Sequence, residues 1–309
     1  MKIIFMGNPP IACPILESLH ASEQHDVVGV VSNAPKTMGR GRSLRHTAVG
    51  EYAIEKGMNF IPVSSLTDSE FTNRLKALNP DIFIVVAFRI LPIELLTIPK
   101  RGAMNLHTSL LPKYRGAAPI QHAIMNGDKE TGITTFIIEP KVDTGGIIFQ
   151  ESMAIKPEDD FGTISKKMAD QGGPLVIQSL DALADGKTPI PQDHSAATAA
   201  PKITKEMCGI DWSQTTQSIH NQIRGLSPFP GSFSSFKGKR IKIYKTGLAQ
   251  YQIQGVPGEL FKIEKNRLVV CCGDGALELL DIQLEGKKRM AVSDWLKGAQ
   301  ISAGDQFES

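Results

Sequence analysis

No apolar run in this chain is longer than residues 82–88. A helix that crosses a bilayer needs about 20 consecutive apolar residues, so no membrane segment is expected. A signal-peptide core is lacking too: the apolar start Lys2-Ile3-Ile4-Phe5-Met6 is stopped at once by Gly7-Asn8-Pro9 and reads as a first strand. Cysteine is scarce, and Cys13, Cys208, Cys271 and Cys272 show no C-x-x-C spacing. That leaves neither a disulfide framework nor a zinc site, and it points to a reduced cytoplasmic compartment. Glycine is missing where a dinucleotide fingerprint needs it, because the first strand-to-helix turn holds Gly7 alone instead of G-x-G-x-x-G. A nucleotide-dependent dehydrogenase is therefore disfavoured. Internal repeats and low-complexity tracts are absent as well.

What is present is an ordinary composition, 41% hydrophobic and 21% charged, over 309 residues. Single cores stop growing near ~250 to 300 residues, so two domains are expected. The net charge of +2 hides an uneven distribution. Residues 27–50 carry Lys36, Arg40, Arg42 and Arg45 with no acid, and residues 201–245 carry eight Lys/Arg against Glu206 and Asp211. An anionic partner would meet two local basic patches.

Up to about residue 155, short β-branched runs (2–6, 27–32, 59–62, 81–88, 104–107, 133–139) alternate with helical spacing (10–21, 44–56, 68–78, 118–126). This alternation predicts an α/β fold with a Rossmann-like, mostly parallel sheet and helices on both faces. A long helix is expected over 161–186, followed by a Pro- and Ala-rich linker. After a helical piece at 213–226, five short strands (231–236, 240–246, 258–263, 267–272, 276–284) with Gly-rich turns suit a small OB-like β-barrel. The expected domains are 1–190, a linker over 191–206, and 207–309.

The run Asn105-Leu106-His107-Thr108-Ser109-Leu110-Leu111-Pro112 carries the chemistry. Residues i and i+2 of a strand share a face, so Asn105 and His107 present an amide donor and an imidazole together at a strand end. Asp143, in Asp143-Thr144-Gly145-Gly146, follows the next strand. Parallel neighbours would deliver both loops to one edge, where a carboxylate orients an imidazole and raises its pKa. Taken singly, these residues could be a strand-end cap, an interior histidine and an Asx turn. Together they suit acyl transfer to an amine, with an oxyanion held by neutral and charged donors.

The same run, continued through Lys113-Tyr114-Arg115-Gly116-Ala117-Ala118-Pro119-Ile120-Gln121, resembles the signature of the 10-formyltetrahydrofolate-dependent formyltransferases, in the branch that acts on aminoacyl-tRNA. The likeness spans nearly the whole chain: Phe5-Met6-Gly7, Gly39-Arg40-Gly41-Arg42, Asp143-Thr144-Gly145-Gly146, Ile210-Asp211-Trp212, Pro228-Phe229-Pro230-Gly231 and Gly273-Asp274-Gly275. The resemblance implies that Asn105, His107 and Asp143 are catalytic, without a metal. It implies that 10-formyltetrahydrofolate is the co-substrate, touching Ser109, Leu110, Leu111 and Pro112 and the segment holding Phe88 and Leu91. It also implies that the formyl group passes to the α-amine of methionyl-initiator tRNA for translation initiation, on a monomeric protein. The loop with Lys36, Arg40, Arg42 and Arg45, which has no apolar periodicity and is expected to be mobile until bound, would reach the acceptor arm. Lys205, Lys239 and Arg240, with Lys202, Arg224, Lys237, Lys242 and Lys245, would grip phosphates.

Several positions depart from the family pattern: Asn8-Pro9-Pro10-Ile11 in the first turn, Thr108 where glycine is common, Phe88-Arg89 for the frequent Tyr-Gly, and Phe229 for Trp. None touches Asn105, His107 or Asp143. Two other readings stand beside this one. The first is a folate-dependent formyltransferase acting on a small amine such as glycinamide ribonucleotide or an amino-sugar nucleotide; the second is a non-catalytic tRNA-binding protein.

Overall fold

The run Ile82-Phe83-Ile84-Val85-Val86 is buried at every position, which is the pattern of a strand covered on both faces. It sits near the middle of a sheet whose order the chain sets in two halves. The computed structural model describes residues 1–38, 43–249, 255–264 and 266–308.

From the start run β1 (Lys2–Gly7), α1 (Ala12–His20), β2 (Asp26–Asn33), the hairpin β3 (Lys36–Met38) and β4 (Ser43–Arg45), α2 (Ala48–Glu55) and β5 (Phe60–Val63). Next come α3 (Ser69–Ala77), β6 (Ile82–Val86), α4 (Ile93–Leu96), β7 (Ala103–His107), β8 (Arg115–Gly116) and α5 (Pro119–Met125). Then follow β9 (Glu130–Ile137), β10 (Ile147–Ala154), α6 (Phe161–Ala184), β11 (Ala199–Ala200) and α7 (Thr216–Gly225). The C-terminal part holds β12 (Ser232–Phe236), β13 (Lys239–Ala249), β14 (Leu260–Glu264), β15 (Arg267–Cys271), β16 (Ala276–Leu284), β17 (Met290–Ala291), α8 (Val292–Leu296) and β18 (Phe307–Glu308).

The chain forms two compact units that interleave in sequence. One takes Met1–Gly116, Thr131–Met153 and Ser165–Ala199; the other takes Ala117–Glu130, Ala154–Ile164 and the chain from Ala200 onward. In the first unit a seven-stranded sheet has the order β10-β9-β7-β6-β1-β2-β5. β1 pairs parallel with β2 and β6, and β6 parallel with β7. The strand order reverses between β1 and β6, where a crevice opens beyond the carboxyl ends. β7 lies one strand further and ends on the same edge.

The pairing of β7 with β9 is antiparallel, with His107 opposite Thr134 and Met104 opposite Ile137. This corrects the expectation that parallel neighbours bring Asp143 to His107. β9 ends beside the start of β7, so the loop after it must fold back to reach the far end. Two boundaries also move. The strand expected over 81–88 stops at Val86, where Ala87 takes a left-handed φ of 49°. The helix expected from residue 44 starts at Ala48, because the Thr47 hydroxyl caps it by accepting from the Gly50 N–H, and residues 43–45 pair instead with 36–38.

In the second unit the strands follow the order β14-β15-β16-β13-β12-β18, with β17 on β16. An antiparallel bridge between Glu259 and Gln306 joins the two ends of that row and nearly closes the barrel. Trp212, Phe307, Leu260, Leu268, Val270, Leu277 and Ile282 fill its interior. α7 lies against β13, and α5 against α7. The helix pair is close at Gly225, where a Cβ would lie 2.7 Å from the Met125 side chain. Among the described residues no helix is long and apolar enough to cross a membrane.

Candidate active site

Alternation along β7 gives Asn105 and His107 a common face at the carboxyl end of the sheet. His107 is buried, and its Nε2–H donates to the Tyr114 carbonyl at 2.8 Å. A carbonyl only accepts, so this bond fixes the tautomer and leaves Nδ1 as the open nitrogen. Nδ1 lies 3.8 Å from Asp143 Oδ2. The ring also meets Phe136 edge-on, with centroids 6.4 Å apart. Burial holds the His107 pKa below its ordinary value, against the opposing pull of the Asp143 carboxylate and the Tyr114 carbonyl. The expected rise is thus reversed, because desolvating an imidazolium in this apolar surrounding outweighs one carboxylate.

Asp143 is itself held from two sides. Its Oδ2 accepts from the Gly116 N–H at 2.8 Å, and its backbone sits at φ 54°, a region that Asp tolerates better than most residues. The loop behind it is tight. A Cβ on Gly145 would lie 1.8 Å from the Ile137 carbonyl oxygen, so no side chain fits there. Asn105 completes the group: its Oδ1 is buried with no hydrogen-bond partner among the described residues. Buried polar atoms are normally hydrogen-bonded, so this amide oxygen on the same face as His107 is an exception.

The turn after β7 is built from its own polar groups. Ser109 Oγ donates to the Lys113 carbonyl at 2.7 Å, Thr134 Oγ1 donates to the Ser109 carbonyl at 2.7 Å, and the Leu111 N–H donates to Thr134 Oγ1 at 3.2 Å. Ser109 and Leu111 are therefore buried, while Leu110 and Pro112 keep partial exposure. After β6, Arg89 donates to the carbonyls of Ser64 and Val63 at 2.9 and 3.2 Å. Phe88 is half-buried and Leu91 buried in the adjoining core.

Of the cations, Arg40 and Arg42 lie outside the described residues. Lys36 and Arg45 are exposed and face each other across the hairpin. In the second unit Lys205, Lys239 and Arg240 are exposed, with the Arg240 guanidinium 4.5 Å from the Phe233 ring centroid. Arg224 does not belong with them. It is buried and donates to the Asp159 and Lys156 carbonyls at 2.9 and 3.3 Å and to Asn221 Oδ1 at 3.1 Å. Lys237 is committed to Asp305 at 2.8 Å, and Lys242 to the Pro230 carbonyl at 2.8 Å. Reading along the sequence missed Tyr114 and Gly116, whose backbone groups hold the histidine and the aspartate. Their place inside the quoted run was the available signal.

Asn105 and His107 thus share a strand end with Asp143 against the histidine, in a chain whose parallel-rich sheet is followed by a nearly closed antiparallel barrel. Residues 1–180 match the Formyl transferase family and residues 202–300 its C-terminal domain, and the chain belongs to that family. Within it the likeness is to the methionyl-tRNA formyltransferases. The one from Caldanaerobacter subterraneus subsp. tengcongensis is 43% identical over 307 residues, covering 98% of this chain and 99% of that protein. Among solved structures, WlaRD, a sugar 3N-formyl transferase, superposes with a TM-score of 0.67 at 20% identity over 93% of this chain and 99% of its own. HypX from Aquifex aeolicus in complex with tetrahydrofolic acid gives 0.65 at 17% identity over 100% of this chain. This chain spans about half of HypX, 50% of its length. These two likenesses establish the fold.

Proposed function

We propose that the protein transfers the formyl group of 10-formyltetrahydrofolate to the α-amine of methionyl-initiator tRNA, giving N-formylmethionyl-tRNA for translation initiation in the cytoplasm. The observation that carries this reading is the end-to-end 43% identity with a methionyl-tRNA formyltransferase, both domains included. The folate-bound HypX supports the choice of donor.

In this reading the amine nitrogen attacks the formyl carbon, forming a C–N bond. The tetrahedral oxyanion accepts from the Asn105 amide, and the bond to folate N10 then breaks as N10 takes a proton. Burial keeps His107 neutral, so its open Nδ1 takes the proton released by the attacking nitrogen, and Asp143 stabilises the imidazolium so formed. The backbone after β6, with Phe88 and Leu91, and the turn Ser109-Leu110-Leu111-Pro112 flank the folate. Lys36, Arg40, Arg42 and Arg45 meet the acceptor arm, and Lys205, Lys239 and Arg240 contact phosphates. Such contacts release counterions, so tRNA affinity falls steeply with added salt. In this reading the protein acts as a monomer.

The test is a formylation assay with charged initiator and elongator methionine tRNA, beside glycinamide ribonucleotide and an amino-sugar nucleotide. Transfer to initiator tRNA alone is expected. Transfer only to a small amine would refute the acceptor, and tRNA binding without transfer would refute the enzyme.

A further inference from the structure

Gln192 follows the last residues of the first unit's sheet edge, where Ile190 and Ile147 exchange backbone hydrogen bonds at 2.7 and 2.8 Å that fix the strand's position. Its side chain is buried, and every polar group of the amide is used. Nε2 donates to the Asp143 carbonyl at 3.1 Å and to the Gly145 carbonyl at 2.8 Å. Both partners only accept, so the orientation of the amide is determined. Oε1 accepts from the Arg115 guanidinium at 2.6 Å, and the same guanidinium nitrogen donates to His194 Nδ1 at 2.9 Å.

Arg115 lies between the two backbone groups that hold the reacting pair. The Tyr114 carbonyl accepts from His107, and the Gly116 N–H donates to Asp143. A closed circuit results: Asp143 Oδ2, Gly116, Arg115, Gln192 and back to the Asp143 carbonyl. Two of its members need outside support, because Asp143 and Tyr114 are non-glycine residues at φ 54° and 60°. Such conformations persist only where surrounding structure over-determines them.

We propose that Gln192 is a positioning residue for formyl transfer, holding the Asp143 loop in register with His107 through its two donated hydrogen bonds while Arg115 holds Gln192. This rests on the reading of His107 and Asp143 as the reacting pair. Neither Gln192 nor Arg115 touches the reacting atoms. Their effect is on where the carboxylate sits, and a displacement of about 1 Å at such a group costs on the order of 10²-fold in rate.

The test is Gln192→Glu, which has the same shape and keeps the acceptor for Arg115 but turns an oxygen toward two carbonyl oxygens. We expect kcat to fall about 10- to 100-fold, with KM for folate and for tRNA within about twofold and a protein that still folds cooperatively at a lowered thermal midpoint. Arg115→Met should lower kcat in the same way and Arg115→Lys should restore most of it, which keeps the test decisive if Gln192→Glu does not fold. A kcat within about twofold of wild type in Gln192→Glu, or a loss confined to KM, overturns the proposal. So does an Arg115→Met protein as active as wild type. An inactive wild type overturns the functional reading and the proposal with it, whereas an active wild type beside an unaffected Gln192→Glu overturns the proposal alone.

Discussion

Asn105 keeps a buried amide oxygen without a partner among the described residues, and that costs folding free energy of about 1–3 kcal/mol. Removing the amide should therefore leave the fold no weaker while it removes an oxyanion donor. We predict that Asn105→Ala lowers kcat by roughly 10² to 10³ with an unchanged or raised thermal midpoint. A clear drop in the midpoint, or full turnover, would refute the assignment. His107 gives a second prediction through pH. Its pKa is depressed by burial, while Asp143 pulls it upward. If the neutral ring is the base, kcat holds its plateau to below the ordinary histidine range and then declines as the ring protonates. Asp143→Asn removes the upward pull, so the acid limb should move to lower pH while the plateau also drops. A limb moving to higher pH, or a rate that rises on acidification, would contradict the neutral base. Residue types and spacing made Asn105, His107 and Asp143 legible in the sequence. The sign of the His107 shift was not, because it depends on how completely Phe136 and the turn shut out water.

α7 shows the same physics in a helix. Its His220 Nδ1 hydrogen-bonds Thr246 Oγ1 of β13 at 2.8 Å, and burial, helped by the Arg224 guanidinium, pushes the His220 pKa down to about 4. The unfolded chain binds this proton near pH 6.5 and the folded one near 4, so stability is fully present above 6.5 and falls as pH drops between those values. The loss is about 2 kcal/mol, allowing for solvent screening of a ring that is partly exposed. His220→Gln should flatten this part of the stability curve in denaturant titrations, and a curve as steep as wild type would disprove the assignment. At this scale most elements were readable, because Thr47, Asp68 and the β-branched runs act locally. The hairpin of β3 and β4 was not, since Leu44 is exposed and leaves no periodicity to read. Nor were β10, whose outer half is largely exposed, and β18, whose two residues are too few for a pattern. The antiparallel sense of β9 is a matter of topology that no local signal encodes.

For the whole molecule the interleaved chain matters most. The C-terminal family match begins at residue 202, yet α7 packs against α5, and Arg224 donates to carbonyls of Lys156 and Asp159. A fragment of residues 202–309 would leave a buried guanidinium short of partners, and breaking a buried charge's contacts costs about 3–5 kcal/mol. It should unfold at a lower temperature and less cooperatively than the intact chain, as followed by circular dichroism. A cooperative transition at or above the intact chain's midpoint would refute this.

The helix pair of α5 and α7 also sets a clock. About ninety residues separate the end of α5 from the start of α7. At roughly 5–20 residues per second of synthesis, α5 waits on the order of 5 to 20 seconds for its partner. During that wait Gln121 and Met125, which lie against Gly225 in the finished protein, are without that neighbour. A cell making this chain must tolerate that interval on every copy, and slower translation lengthens it.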